Sequence, residues 1–151
     1  MDLLLKQGLV YDGIHKQPTK KDIFVKNGKI TAIADTLQDE PQEDCMIINC
    51  EDLRVYPGFV DAHSHLGLDA FASGFDASDY NECNDPVTPQ LRAIDGFNPQ
   101  DRALQLAVQG GVTTVCTGPG SANVLGGTFM AVKTSGKRVD DMAVCPEVAR
   151  K

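Results

Sequence analysis

The chain has 151 residues and a formal net charge of −7, with 42% hydrophobic and 6% aromatic residues. That length allows one ordinary domain or two small ones and supplies enough apolar side chains for a core. An acidic chain whose longest basic cluster is Lys20-Lys21 lacks the footprint that neutralises nucleic-acid phosphates, and no apolar run reaches membrane-spanning length, so neither nucleic acid nor membrane is an expected partner.

The first residues, Met-Asp-Leu-Leu-Leu-Lys, lack the basic start and long apolar segment of a signal peptide. The five cysteines, Cys45, Cys50, Cys83, Cys116 and Cys145, are odd in number and form no Cys-x-x-Cys pair. Both features point to a cytoplasmic protein whose thiols are reduced and structural.

Residues 3–13 read as a strand, a bend permitted by Gly8 and a second strand, with a polar loop over 15–21. The clearest local signal lies in 22–34, where Ile23 and Val25 on one side and Ile30, Thr31 and Ile33 on the other flank Asn27-Gly28. That dipeptide best supplies positive φ at both centres of a type I′ turn, so the stretch predicts a hairpin. Residues 36–44 are acidic, carry Pro41 and read as a loop; 45–50 and 53–56 give two further strands. Residues 1–56 are therefore expected to form a small antiparallel sheet unit.

The stretch over 55–66, Val-Tyr-Pro-Gly-Phe-Val-Asp-Ala-His-Ser-His-Leu, organises the remainder. It reads as a strand entered after a Pro-Gly break. Successive side chains of a strand point to opposite faces, so His63 and His65 project from the same side, with Phe59 and Asp61 below them. Two imidazoles leaving one face of a strand can hold a divalent cation, and imidazole nitrogen suits zinc. A bare His-x-His also arises by chance on exposed loops, so the pair gains its weight from its flanks. Asp61 is placed either as an acceptor behind a ligating imidazole or as an Asp bonding to backbone.

Residues 67–99 have no sustained period and are rich in Asp, Asn, Gly and Pro, among them Asp69, Asp76, Asp79, Glu82, Asp85 and Asp95. Such a stretch is either a functional loop or a solvated acidic one. Asn98-Pro99-Gln100-Asp101 predicts a helix start, with Asn98 as the cap, Pro99 at the first helical position and Asp101 in the first turn. Ala103, Leu104, Leu106, Ala107 and Val108 supply the apolar side, and Gly110-Gly111 stops the helix. Residues 112–117 then read as a buried strand broken by Gly118-Pro119-Gly120-Ser121.

Strand, loop, helix and strand in that order form the βαβ unit of a parallel sheet. It puts Ser121 and Asn123 at the same end of the sheet as the histidines, to reach a substrate or to stabilise the turn. Residues 128–134 predict another strand and 142–145 a last one.

A hydrolytic metal site needs at least three protein ligands and a group to handle the proton. His63 and His65 supply two. His15 sits in the polar loop of the first sheet and reads as a solvent contact, and Lys133 reads as an ordinary exposed lysine.

Pro-Gly-Phe-Val-Asp-Ala-His-Ser-His-Leu over 57–66 resembles the first-barrel-strand signature of the amidohydrolase superfamily. Together with Asn-Asp-Pro-Val-Thr-Pro-Gln-Leu-Arg over 84–92 and Gly-Pro-Gly-Ser-Ala-Asn-Val-Leu-Gly-Gly over 118–127, it is similar to the imidazolonepropionase-related group.

The resemblance implies an α/β fold: a partial (β/α)8 barrel of the TIM type over residues 57–151, preceded by part of a β-sandwich over 1–56. It implies a metal-dependent hydrolase of C–N bonds in amides or cyclic amides, with one or two divalent ions, zinc in the first instance. His63 and His65 would be ligands, and the bridging Lys or Glu, further His and catalytic Asp would lie on later strands. A complete barrel takes about 250 residues, so the chain is expected to be an N-terminal part, inactive alone and prone to self-association through open apolar faces. Its partner would be a small amide-type substrate. A cyclic amidine deaminase of the same superfamily and a non-enzymatic β-rich binding or assembly module remain as alternatives.

Overall fold

The computed structural model describes residues 2–38, 44–71, 74 and 78–151. The part of the expected 36–44 loop that carries Pro41, and the part of the acidic stretch that carries Asp76, lie outside the described residues. The chain divides into two units, 1–57 and 58–151.

The first unit is one five-stranded sheet in the order β3-β2-β1-β4, with β5 also paired to β1. Its strands are β1 (Asp2–Val10), β2 (Thr19–Lys26), β3 (Lys29–Ala34), β4 (Cys45–Asn49) and β5 (Arg54–Val55). The β2–β3 hairpin forms as its sequence predicts, with Asn27 at φ 51° and Gly28 at φ 72°, the positive values a type I′ turn requires. Residues 3–10 differ from expectation, for they form one continuous strand with a bulge between Leu5 and Gly8. The residue that takes the left-handed conformation is Gln7, at φ 59°, and not Gly8.

Asp22 holds that conformation. Its side chain is fully buried, and its Oδ1 accepts hydrogen bonds from the Gln7 backbone N–H at 2.7 Å and from Gln7 Nε2 at 3.2 Å. Its Oδ2 accepts from the Leu37 N–H at 2.9 Å. Burial pushes the Asp22 carboxyl up, and the Leu37 and Gln7 donors more than offset it, so its pKa lies below the usual carboxylate value.

The unit is also not wholly antiparallel. β4 and β5 pair with β1 in parallel, with Cys45 opposite Asp2 and Arg54 opposite Leu9.

The second unit is a four-stranded sheet in the order β6-β7-β8-β9. It comprises β6 (Phe59–Ser64), α1 (Ala93–Gly96), α2 (Arg102–Gln109), β7 (Val112–Thr117), β8 (Thr128–Lys133), α3 (Val139–Met142) and β9 (Ala143–Arg150). β6 and β7 run parallel, with Val60 opposite Thr114 and Asp61 opposite Val115, so the βαβ unit through α2 is present as the sequence predicts. β8 and β9 each run antiparallel to the strand before. The ten residues between Thr117 and Thr128 hold no helix, and a connection that short folds the strand back on its neighbour.

The core lies on one face of this sheet. Val115, Met130 and Val132 are fully buried there with Leu68, Phe97, Leu104 and Met142. Alternation sends Thr114, Cys116, Phe129 and Lys133 to the other face, where the Lys133 ammonium donates to Thr114 Oγ1 at 3.0 Å. Among the described residues β6 is the edge strand of this sheet, with Val60 69% exposed. Among the described residues no helix is long and apolar enough to cross a membrane.

Candidate functional site

β6 delivers His63 from its last turn of pleat, and His65 follows one residue after the strand ends. The two rings stand side by side with centroids 5.4 Å apart and planes at 81°, as the His-x-His spacing predicts. His63 is exposed and His65 half-buried.

Hydrogen bonds assign the tautomer of each ring. Nδ1 of His65 lies 2.6 Å from the Gly118 carbonyl; a carbonyl only accepts, so Nδ1 carries the proton and Nε2 keeps its lone pair. Nε2 of His63 lies 3.3 Å from the Lys151 ammonium; an ammonium only donates, so this Nε2 is also the bare nitrogen. Both imidazoles therefore present Nε2 as a donor atom, and a cationic group already rests against one of them.

The surroundings are aromatic. Phe129, buried on β8, contacts His63 with centroids 5.2 Å apart and His65 at 6.4 Å. Tyr80 stacks on His65 at 4.9 Å and 19°. The Lys151 ammonium also sits over the Phe129 ring, 5.7 Å from its centroid, a cation–π distance. Tyr80, Phe129 and Lys151 were not legible as site residues, for nothing in their local sequence marks a long-range ring contact.

The chain is pinned immediately beyond the pair. Thr117 Oγ1 donates to the Leu66 carbonyl at 2.8 Å, and the Gly67 N–H donates to Asp101 Oδ2 at 3.1 Å. The Gly67 carbonyl accepts from the Asn98 N–H at 2.7 Å. Asp101 is buried and also caps α2, its Oδ1 accepting from the Ala103 N–H at 2.9 Å. The cap is thus Asp101 and not Asn98, whose Oδ1 accepts from the Gln100 N–H one turn earlier; the helix begins at Arg102.

The other sequence candidates take plainer places. Asp61 Oδ1 accepts from the backbone N–H of His63 at 3.1 Å. Cys116 lies near enough to Asp61 for that carboxylate, after burial, to push its thiol pKa up. Asn123 Nδ2 donates to the Asp85 carbonyl at 2.6 Å, the turn-stabilising role, while Ser121 is exposed. His15 is in the first unit, exposed and bonded to Asp12 at 2.6 Å. Among the described residues no group of three or more His, Cys, Asp or Glu converges on one point. A cleft of about 290 Å³ opens beside Tyr80, lined also by Asp79, Glu82, Arg92, Pro119 and Asn123.

No family model matches the chain. It is 38% identical over 120 residues to "Amidohydrolase tasK" of Hapsidospora irregularis, a match covering 79% of this chain and 12% of that protein. It is 39% identical over 66 residues to the dihydroorotase of Elusimicrobium minutum, covering 44% of this chain and 15% of the relative. Among solved structures, an amidohydrolase from Thermotoga maritima matches with a TM-score of 0.89 and 40% identity, over 98% of this chain and 38% of that one. The chain therefore spans well under half the length of the relatives it matches.

Proposed function

We propose that this chain, which belongs to the amidohydrolase superfamily, contributes His63 and His65 as ligands of a divalent metal in an enzyme that hydrolyses C–N bonds of amides or cyclic amides. The observation that carries the reading is the matched tautomer of the two rings, each with its proton on Nδ1 and its lone pair on Nε2. Metal ligation by imidazole requires one bare ring nitrogen, and in His65 the other nitrogen is bonded to an acceptor, the usual support of a ligating ring. A bound zinc would acidify water toward neutrality and polarise a carbonyl.

The chain's own residues supply the frame for that chemistry. The Gly118 carbonyl orients His65, and the Phe129 ring packs against both imidazoles. The cleft beside Tyr80 provides room for a small amide-type substrate. In this reading residues 57–151 are the first part of a (β/α)8 barrel and 1–56 part of a β-sandwich, within the imidazolonepropionase-related group. Two ligands fall short of the three a catalytic zinc takes, so the 151-residue chain binds metal weakly, has no turnover of its own and self-associates through open strands such as β6.

Titration of the purified chain with Zn²⁺ and Co²⁺ by calorimetry and visible spectroscopy tests the reading. Saturable binding that His63→Ala and His65→Ala each abolish is expected. Binding indifferent to both substitutions, or metal-dependent amide hydrolysis by this chain alone, would refute it.

A further inference from the structure

We propose that Tyr80 is a positioning residue for His65, holding the imidazole in the plane from which Nδ1 donates to the Gly118 carbonyl. The proposal rests on the reading of His65 as a metal ligand. The two rings are stacked, 4.9 Å between centroids and 19° between planes. Stacking fixes the plane of an imidazole but does not register a half-turn about χ2, which exchanges Nδ1 for Cδ2. The Gly118 carbonyl, 2.6 Å from Nδ1, makes that choice, because only an N–H satisfies it. Plane and orientation therefore come from two different groups, and both are needed to fix which nitrogen is bare.

The same turn holds both groups. The Gly120 N–H donates to the Tyr80 carbonyl at 2.6 Å, two residues from the carbonyl that takes the His65 proton. Tyr80, Gly120, Gly118 and His65 thus close a ring of contacts between the loop after β6 and the loop after β7. Gly120 is buried, and a Cβ there would strike Asn81 Oδ1 at 2.1 Å and the Tyr80 ring at 2.7 Å. The close approach of the two loops, and with it the seat of the Tyr80 ring, depends on that missing side chain. The stacking face is the aromatic ring, so phenylalanine should serve as well as tyrosine.

The test uses the 151-residue chain labelled with ¹⁵N, with the three histidines assigned through single variants. In the wild type and in Tyr80→Phe, neutral His65 should show a protonated Nδ1 and a bare Nε2. In Tyr80→Ala and Gly120→Ala the two nitrogens should move toward averaged shifts, and Co²⁺ affinity should fall by about tenfold or more, the usual effect of removing a group that orients a ligand. Tyr80→Leu, which keeps apolar bulk without the ring, replaces Tyr80→Ala if that variant does not fold. Unchanged His65 shifts in folded Tyr80→Ala or Tyr80→Leu would overturn the proposal even if cobalt binds. Shifts that respond to these variants in a chain that binds no cobalt would uphold the positioning role and defeat the metal reading instead.

Discussion

Replacing Asp101 by alanine removes two bonds that tie the His-x-His segment to α2, and the cost can be worked from the structure. Asp101 Oδ1 caps the helix through the Ala103 N–H, and Oδ2 accepts from the buried Gly67 N–H. Loss of the cap costs about 1 kcal/mol. The Gly67 N–H is left in a site closed by the Phe97 ring, where an unsatisfied donor costs about 1–3 kcal/mol. Asp101→Ala should therefore destabilise the chain by about 2–4 kcal/mol, a fall in Tm of roughly 6–12 °C at this size. Asp101→Asn keeps one acceptor and turns a donor toward the other partner, so it should lose about half as much. Gly67 itself admits no side chain, since its φ is +82° and a Cβ there would meet Phe97 at 2.2 Å. Urea and thermal unfolding followed by circular dichroism measure both variants. An Asp101→Ala protein within about 0.5 kcal/mol of the wild type, the range of ordinary surface substitutions, would show that the two bonds do not hold the segment.

Asp22 carries a pH signature. Its folded pKa is depressed, so its contribution is complete above the ordinary carboxylate value of about 3.9 and is lost as pH falls toward the folded pKa. Asp22→Asn should cost about 1–3 kcal/mol at neutral pH and flatten the acid limb of stability against pH; an acid limb unchanged from the wild type would count against this role. The thiols should separate by reactivity: exposed Cys83 alkylates first, while buried Cys50 and half-buried Cys116, the latter with its pKa raised by burial and by Asp61, alkylate last. Mass spectrometry of a timed iodoacetamide reaction reads the order, and Cys116 reacting with Cys83 would contradict it.

Local sequence revealed the parts of this fold that local physics decides. Asn27-Gly28 could only serve a tight hairpin, and Gly110-Gly111 after the apolar run of α2 could only end a helix before β7. What escaped were features set by residues far apart in the chain. The bulge in β1 sits at Gln7 because Asp22, fifteen residues on, offers a buried acceptor for its N–H. The helix cap moved from Asn98 to Asp101 because the Gly67 N–H needs the second carboxylate oxygen. The direction of β8 followed from the length of its connection, which the composition of residues 118–127 does not announce as a hairpin.

The same distinction divides the two histidines. His63 leaves an edge strand, is exposed, and its ring touches Phe129 and Lys151; His65 is held by Gly118 and Tyr80. If both are ligands, substitution by alanine should remove metal binding equally while stability responds unequally. His65→Ala loses a hydrogen bond worth about 0.5–1.5 kcal/mol and a ring pair worth a similar amount, about 1–3 kcal/mol together. His63→Ala gives up no buried hydrogen bond, only the exposed Lys151 contact and one tilted ring contact with Phe129, and should cost no more than about 1 kcal/mol. Parallel unfolding curves and metal titrations of the two variants make the comparison. A metal lost only with His65, at the same step as the stability, would mean that the second ring structures the turn and the first binds nothing. Loss of metal from both, with stability spared in His63→Ala, would separate ligation from folding and leave His63 no role except ligation.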